Sequence, residues 1–201
     1  MAAQLNKNRM LYTRVLTGLT FAFGILGTSR FPTDSPPHEA MRFFGYALLA
    51  FCAMGRLYST AFIGGIKNKS LVTWGPYSVV RNPLYFFSLC GAAGLGLATA
   101  SVTMFAIIFF GFLIVYIGLI SREEGFLADK FGKEFTNYKR KTPKLLPDVS
   151  LWHCPAELPF QPKFFNFAWR DAVWWFAPLP AFEVAQLLQD KGIFKPLIEL
   201  F

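Results

Sequence analysis

Cysteine, histidine and acidic groups are scarce in this chain: three Cys, two His and twelve Asp plus Glu in 201 residues. Cys52 and Cys90 fall inside apolar segments, and Cys154 stands alone beside His153. No Cys-x-x-Cys pair or zinc-type spacing occurs, so neither a disulfide framework nor a metal site is indicated. Internal repeats and low-complexity tracts are missing. So is a small-residue cleavage site after the basic start Met1–Arg14, and the first apolar run is therefore expected to be a retained span rather than a removed signal. Polar residues are lacking over one long stretch, Phe105–Ile120. A helix apolar on every side belongs in lipid or deep in a much larger core, which argues against a soluble helical protein.

What the chain does have is 54% hydrophobic and 18% aromatic residues, a net charge of +8 and a mean hydropathy of +0.38. The apolar residues come in four blocks, Leu11–Gly27, Phe43–Gly64, Leu84–Ala98 and Val102–Ile120. Crossing a bilayer takes about 20 mostly apolar residues. The second and fourth blocks reach that length, and Leu84–Ala98 borrows from its flanks. The predicted fold class is all-α: a polytopic transmembrane helix bundle with a cytoplasmic cofactor site and an interfacial aromatic C-terminal segment. One membrane domain covers residues 1–201, with N-terminal spans over 1–68, a core over 69–147 and an aromatic tail over 148–201.

Several local features refine this picture. Thr99-Ala100-Ser101 is a tight uncharged turn that makes a hairpin of the third and fourth spans. The small residues of Gly91–Ala98 let helix backbones approach closely. Arg56, within the second span, is expected to snorkel to the interface rather than face the bundle interior. Phe160–Leu188 carries Trp169, Trp174 and Trp175 but is broken by Arg170, Asp171, Pro178 and Pro180. Such a segment suits the membrane interface, with a fifth, kinked span as the alternative.

Basic residues cluster at one set of span ends: Lys7, Arg9 and Arg14; Lys67, Lys69 and Arg81; then Arg122 and the Lys130–Lys144 stretch. Basic flanks mark cytoplasmic ends. The N terminus, the Gly75–Tyr85 loop and the Arg122–Lys144 region are therefore expected on the cytoplasmic side of a multi-pass protein, in a bacterial inner membrane or the endoplasmic reticulum. The membrane is the expected partner and nucleic acid is not. The glycosylation-like Asn68-Lys69-Ser70 reads as chance on that side.

Two polar knots then share one face. In the first, Gly75-Pro-Tyr-Ser-Val-Val-Arg-Asn-Pro-Leu-Tyr85, Pro83 fits the first helical position with Asn82 as N-cap. The positive end of the third span and Arg81 make this place favourable for an anion; the plainer reading is a helix start and a headgroup anchor. In the second knot, Arg122-Glu123-Glu124, adjacent carboxylates point about 100° apart on a helix and cannot face one ligand equally. That helix is expected to run on to Gly132 as its C-cap. Carboxylates this near lipid need a cationic partner, either Arg122 or a ligand.

Gly75-x-Tyr77, Arg81-Asn82-Pro83-x-Tyr85, an apolar hairpin, Glu123-Glu124, Phe131-Gly132, Tyr138 and a basic stretch to Leu146-Pro147 resemble the isoprenylcysteine carboxyl methyltransferase and phospholipid methyltransferase superfamily. The likeness covers roughly Lys69–Pro147. It implies S-adenosyl-L-methionine bound at the cytoplasmic face. Lys69, Ser70, Leu71 and Val72 would give main-chain contacts, Tyr77, Asn82, Pro83, Leu84 and Tyr85 would line the pocket, and Glu123 would hold a polar end of the cofactor. A sulfonium cation favours aromatic neighbours, and an amino group favours a carboxylate. The isoprenylcysteine branch usually has His where this chain has Asn82, and Arg where it has Leu119, which puts that particular substrate in doubt.

The function expected is methyl transfer to a membrane amphiphile, either a lipid headgroup or a prenyl-linked carboxylate. Arg81 would position an anionic part of the substrate together with Arg122, and Glu124 is the nearest base for an amine acceptor. The rivals are a sterol-reductase-like membrane enzyme using NADPH and a non-catalytic scaffold that binds anionic lipid through Lys130–Lys144.

Overall fold

A computed structural model of the chain describes residues 15, 18, 27–66, 69–157, 161–193 and 198–200. The expected first span, Leu11–Gly27, lies almost wholly outside the described residues, as do Lys7, Arg9, Arg14 and Lys67. What is described is predominantly helical. Pro36, behind Ser35, opens α1 (Pro36–Ile63), whose first turn carries Glu39 against the positive helix end. A four-residue turn of helix, α2 (Pro76–Val79), precedes α3 (Pro83–Ala98), which begins at Pro83 as the sequence predicts. The hairpin turn is present, with Ala100 at φ 50°. Next comes α4 (Val102–Phe131), thirty residues long and ended by Gly132 at φ +50°, where L side chains are strained. The basic α5 (Lys133–Lys141) follows directly.

The tail forms a 3₁₀ turn over Val149–Leu151, α6 (Pro162–Val173), a second 3₁₀ turn over Trp174–Phe176, and α7 (Leu179–Asp190). Each helix has twelve residues, fewer than the roughly 20 that a crossing takes. Among the described residues, the departure from an all-α fold is a three-residue parallel pair, β1 (Gly27–Ser29) with β2 (Ile198–Leu200), in register Gly27 to Ile198.

Helices α1 and α4 are long and apolar enough to cross a membrane, and α3 is a shorter apolar helix. Exposed large side chains line each of the two: Phe43, Phe51 and Met54 on α1, and Ile107, Phe110 and Ile114 on α4. Apolar strips this long are not left facing water; lipid is the solvent they fit.

The described chain divides into two compact units. The first holds residues up to Ala50, Leu89–Val115 and Trp174–Phe201. In it, α1 and α3 meet at Gly45 and Gly94, where a β-carbon on either glycine would come within 2.8 Å of the other helix's backbone. The small face of Gly91–Ala98 thus does what the sequence predicts. The second unit, Phe51–Ser88 with Tyr116–Val173, contains both polar knots.

Candidate functional site

The Gly75–Asn82 loop is stitched to the chain after α5 by backbone bonds. Gly75 N–H donates to His153 O at 2.8 Å, Arg81 N–H to Pro143 O at 2.9 Å, and Asp148 N–H to Val79 O at 2.9 Å. Gly75 sits at φ +61°, and a β-carbon there would strike the Phe62 ring at 2.3 Å, so only glycine lets the loop close over this side chain. Phe62, Val72 and Tyr77 form one buried cluster; Leu71, Phe135 and Tyr138 form another. The second is tied in by Tyr138, whose hydroxyl donates to Tyr77 O at 2.6 Å.

The two knots are joined directly. Tyr85 Oη donates to Glu123 Oε2 at 3.0 Å, and Asn82 Nδ2 donates to Glu124 Oε1 at 3.1 Å. Arg81 Nε lies 2.9 Å from Glu124 Oε1, with the two side chains only 8% and 9% exposed. As predicted, the adjacent glutamates face different partners. The cationic side chain beside Glu124 is Arg81 and not Arg122, which is exposed. Arg81 also donates to Lys139 O at 2.7 Å and Thr142 O at 2.8 Å, closing carbonyls that the end of α5 leaves unpaired. Asn82 holds the cap position of α3 through its own carbonyl, which accepts from Tyr85 and Phe86 N–H, while its side-chain nitrogen also donates to Lys144 O at 3.0 Å.

Of the other predicted site residues, Leu71 and Val72 are buried beside Tyr138 and Tyr77, whereas Lys69 and Ser70 are exposed. Pro83 is fully buried, and Leu84 O accepts from Arg56. Tyr85 packs edge-on against Tyr116 at 5.1 Å between centroids, which adds an aromatic wall absent from the sequence expectations. Tyr116 stands seven residues before Glu123, two helical turns, and that spacing is the signal that could have found it.

The Tyr77 hydroxyl is an open polar group of the site. Tyr77 is 7% exposed, and its hydroxyl has no hydrogen-bond partner among the described residues; the same holds for Trp74 Nε1 beside it. A buried orphan of this kind is costly and needs an explanation. Burial chiefly, and then the neighbouring Glu123 carboxylate, push this phenol far above the ordinary tyrosine range; Arg56 acts in the opposite sense. Burial likewise raises Tyr138. Both phenols stay neutral.

Arg56 does not snorkel. It turns into the second unit, where its guanidinium donates to Leu84 O at 3.2 Å and to Ser88 Oγ and pairs with Asp171. Hydropathy alone could not show this, because the carboxylate that makes it affordable lies 115 residues away. Beside the site an almost wholly apolar groove of about 580 Å³ is lined by Phe51, Tyr58, Val80, Pro83, Phe87 and Trp152. Among the described residues, no group of three or more His, Cys, Asp or Glu could hold a metal ion.

Apolar helices that lead into a buried cluster of tyrosines, Asn82 and paired glutamates describe a membrane protein with a polar site built into it. The phospholipid methyltransferase family matches residues 41–134, which contain both knots. The chain is 32% identical over 198 residues to the cobalt-zinc-cadmium resistance protein CzcN of Cupriavidus metallidurans, covering 98% of this chain and 90% of that one. It is 32% identical over 170 residues to the nickel-cobalt-cadmium resistance protein NccN of Alcaligenes xylosoxydans xylosoxydans, covering 85% and 79%. Mouse phosphatidylethanolamine N-methyltransferase is 31% identical over 102 residues, 49% of this chain and 50% of that one. No solved structure matches. The chain belongs to the integral membrane methyltransferase superfamily, with a phospholipid methyltransferase-like region over residues 41–134.

Proposed function

We propose that the protein transfers a methyl group from S-adenosyl-L-methionine to a membrane amphiphile, at a site on the cytoplasmic face. The observation that carries this reading is the buried Tyr77 hydroxyl, left without a partner among the described residues beside the Glu123 carboxylate. The surrounding donor set fits the cofactor. Glu123 offers a carboxylate to its amino group, and the Tyr77, Tyr85 and Tyr116 rings offer π-faces to a sulfonium. Lys69–Val72 and Asn82–Leu84 complete the wall through their main chain. When bound, the cofactor supplies an electrophilic methyl group.

The chain's own residues then hold and orient. Arg81 and Glu124, engaged with each other, keep the Asn82–Tyr85 turn against the end of α5, so we give that pair a positioning role. Methyl transfer depends above all on donor and acceptor held in line in a dry pocket, which a fixed wall serves. The apolar groove beside Pro83 suits the hydrocarbon part of an amphiphile. An acceptor that is already anionic needs no base. The metal-resistance names of two relatives give this chemistry a setting: a fully methylated headgroup nitrogen has no lone pair to offer a metal cation.

Titration of the purified protein with S-adenosylhomocysteine tests the reading. Micromolar binding is expected, weakened about tenfold or more in Glu123→Ala and Tyr77→Ala, since each loses a buried polar or aromatic contact worth about 1–3 kcal/mol. No binding by the wild-type protein, or thermal stabilisation by NADPH instead, would overturn it, because a ligand of the folded state raises apparent stability.

A further inference from the structure

We infer that Arg56 is the anchor for an anionic group of the membrane substrate, and that Asp171 occupies this place in its absence. The inference rests on the methyltransferase reading above for what the substrate is used for, but not for whether it binds.

Arg56 lies seven residues before the end of α1, about 10 Å at ~1.5 Å per residue. A guanidinium this far inside an apolar helix is expensive and persists only with partners. Its partners are unequal. Leu84 O and Ser88 Oγ belong to the first two turns of α3, the same turns that carry Tyr85 to Glu123. Asp171 comes from α6, beyond the part of the chain that the family match covers.

Exposure separates the two charges. The Arg56 side chain is 19% exposed and that of Asp171 is 45% exposed. The cation is fixed inside the fold, while the anion stands at its edge. A planar guanidinium is also the group that best matches a phosphate or carboxylate through two parallel N–H donors.

Position completes the argument. Arg56 donates to Leu84 O at 3.2 Å, and the next residue, Tyr85, holds Glu123 at 3.0 Å. An amphiphile whose anion takes the place of Asp171 would therefore hold its headgroup beside the cofactor wall. No bond is made or broken in the exchange: one carboxylate–guanidinium pair is replaced by another ion pair of the same sign. Helix α6 is placed to return Asp171 afterwards. Phe164 packs on Gly64, and Gln161 stands beside Gly65, so α6 runs antiparallel to the end of α1.

Quenching of the protein's tryptophans by brominated lipids in detergent measures this without any turnover. The probes are brominated-chain phosphatidylethanolamine, a brominated fatty acid and a brominated alkylamine; the first two distinguish a phosphodiester from a carboxylate. Arg56→Gln is expected to weaken binding of at least one anionic probe about tenfold and leave the alkylamine unchanged. Arg56→Lys should recover part of the loss. Asp171→Asn should tighten the same probe severalfold, having removed its competitor. The double variant Arg56→Gln/Asp171→Asn leaves no unpaired charge and serves as the folded control. Unchanged anion binding in the double variant would overturn the inference. So would an Asp171→Asn variant that loses anion binding as Arg56→Gln does, because the pair would then be structural. Failure of S-adenosylhomocysteine to bind would count against the enzyme reading alone.

Discussion

Arg81 and Glu124 form a buried ion pair, and its geometry decides what each can do. Both side chains are about nine-tenths buried, and the guanidinium also closes two carbonyls at the end of α5. Removing one member of such a pair leaves an uncompensated charge, at a cost of about 3–5 kcal/mol. Arg81→Met is therefore expected to lower stability by roughly that amount in chemical denaturation, and Arg81→Met/Glu124→Leu to recover much of it. A substrate-binding arginine would behave otherwise, losing acceptor affinity with folding intact. The sequence placed Arg81 and Glu124 at the site but not on each other. Arg122 stood nearest in the chain, yet residues two apart on a helix point to nearly opposite sides. Arg56 was misread for a related reason. Its partner sits in a tail whose packing no local pattern reveals.

Among the elements, the helix ends were the most readable. Pro83 opens α3 and Gly132 closes α4 because backbone geometry, not tertiary packing, dictates both positions. The small face of α3 announced a close helix contact without naming the partner, which is α1 at Gly45. Gly45→Ala would bring a β-carbon to 2.6 Å from Ala98 N, and Gly94→Ala to 2.7 Å from Gly45 O. Backbone cannot yield as a side-chain tip can. Each variant should lose about 1–3 kcal/mol by the cost of overpacking, read as a lowered unfolding midpoint in detergent. Gly118→Ala, whose added carbon has no described neighbour within 4 Å beyond its own stretch of helix, should leave the midpoint unmoved. The tail was legible as charge-broken and aromatic. Its division into α6 and α7, and the seat of Phe164 on Gly64, depended on contacts with residues a hundred positions earlier.

For the molecule as a whole, the distribution of basic residues predicts which side of the membrane the site faces, and one native side chain can report it. Cys154 is exposed, and its neighbour His153 is bonded through its backbone to Gly75 and Ser78, so the thiol shares the side of the Gly75–Tyr85 loop. A membrane-impermeant maleimide should label Cys154 in inverted vesicles and not in intact cells, with buried Cys52 unlabelled in both. Labelling of intact cells would reverse the orientation. The bond from Arg81 to the end of α5 has a mechanical consequence at this scale. The last turn of α5 carries Lys139, Arg140 and Lys141, each attracted to an anionic bilayer surface by about 1 kcal/mol. Because Arg81 holds that turn, the pull of the surface on three cations acts on the pocket wall itself. On the proposed reading, the charge of the surrounding lipid would thereby moor the cofactor wall at headgroup height.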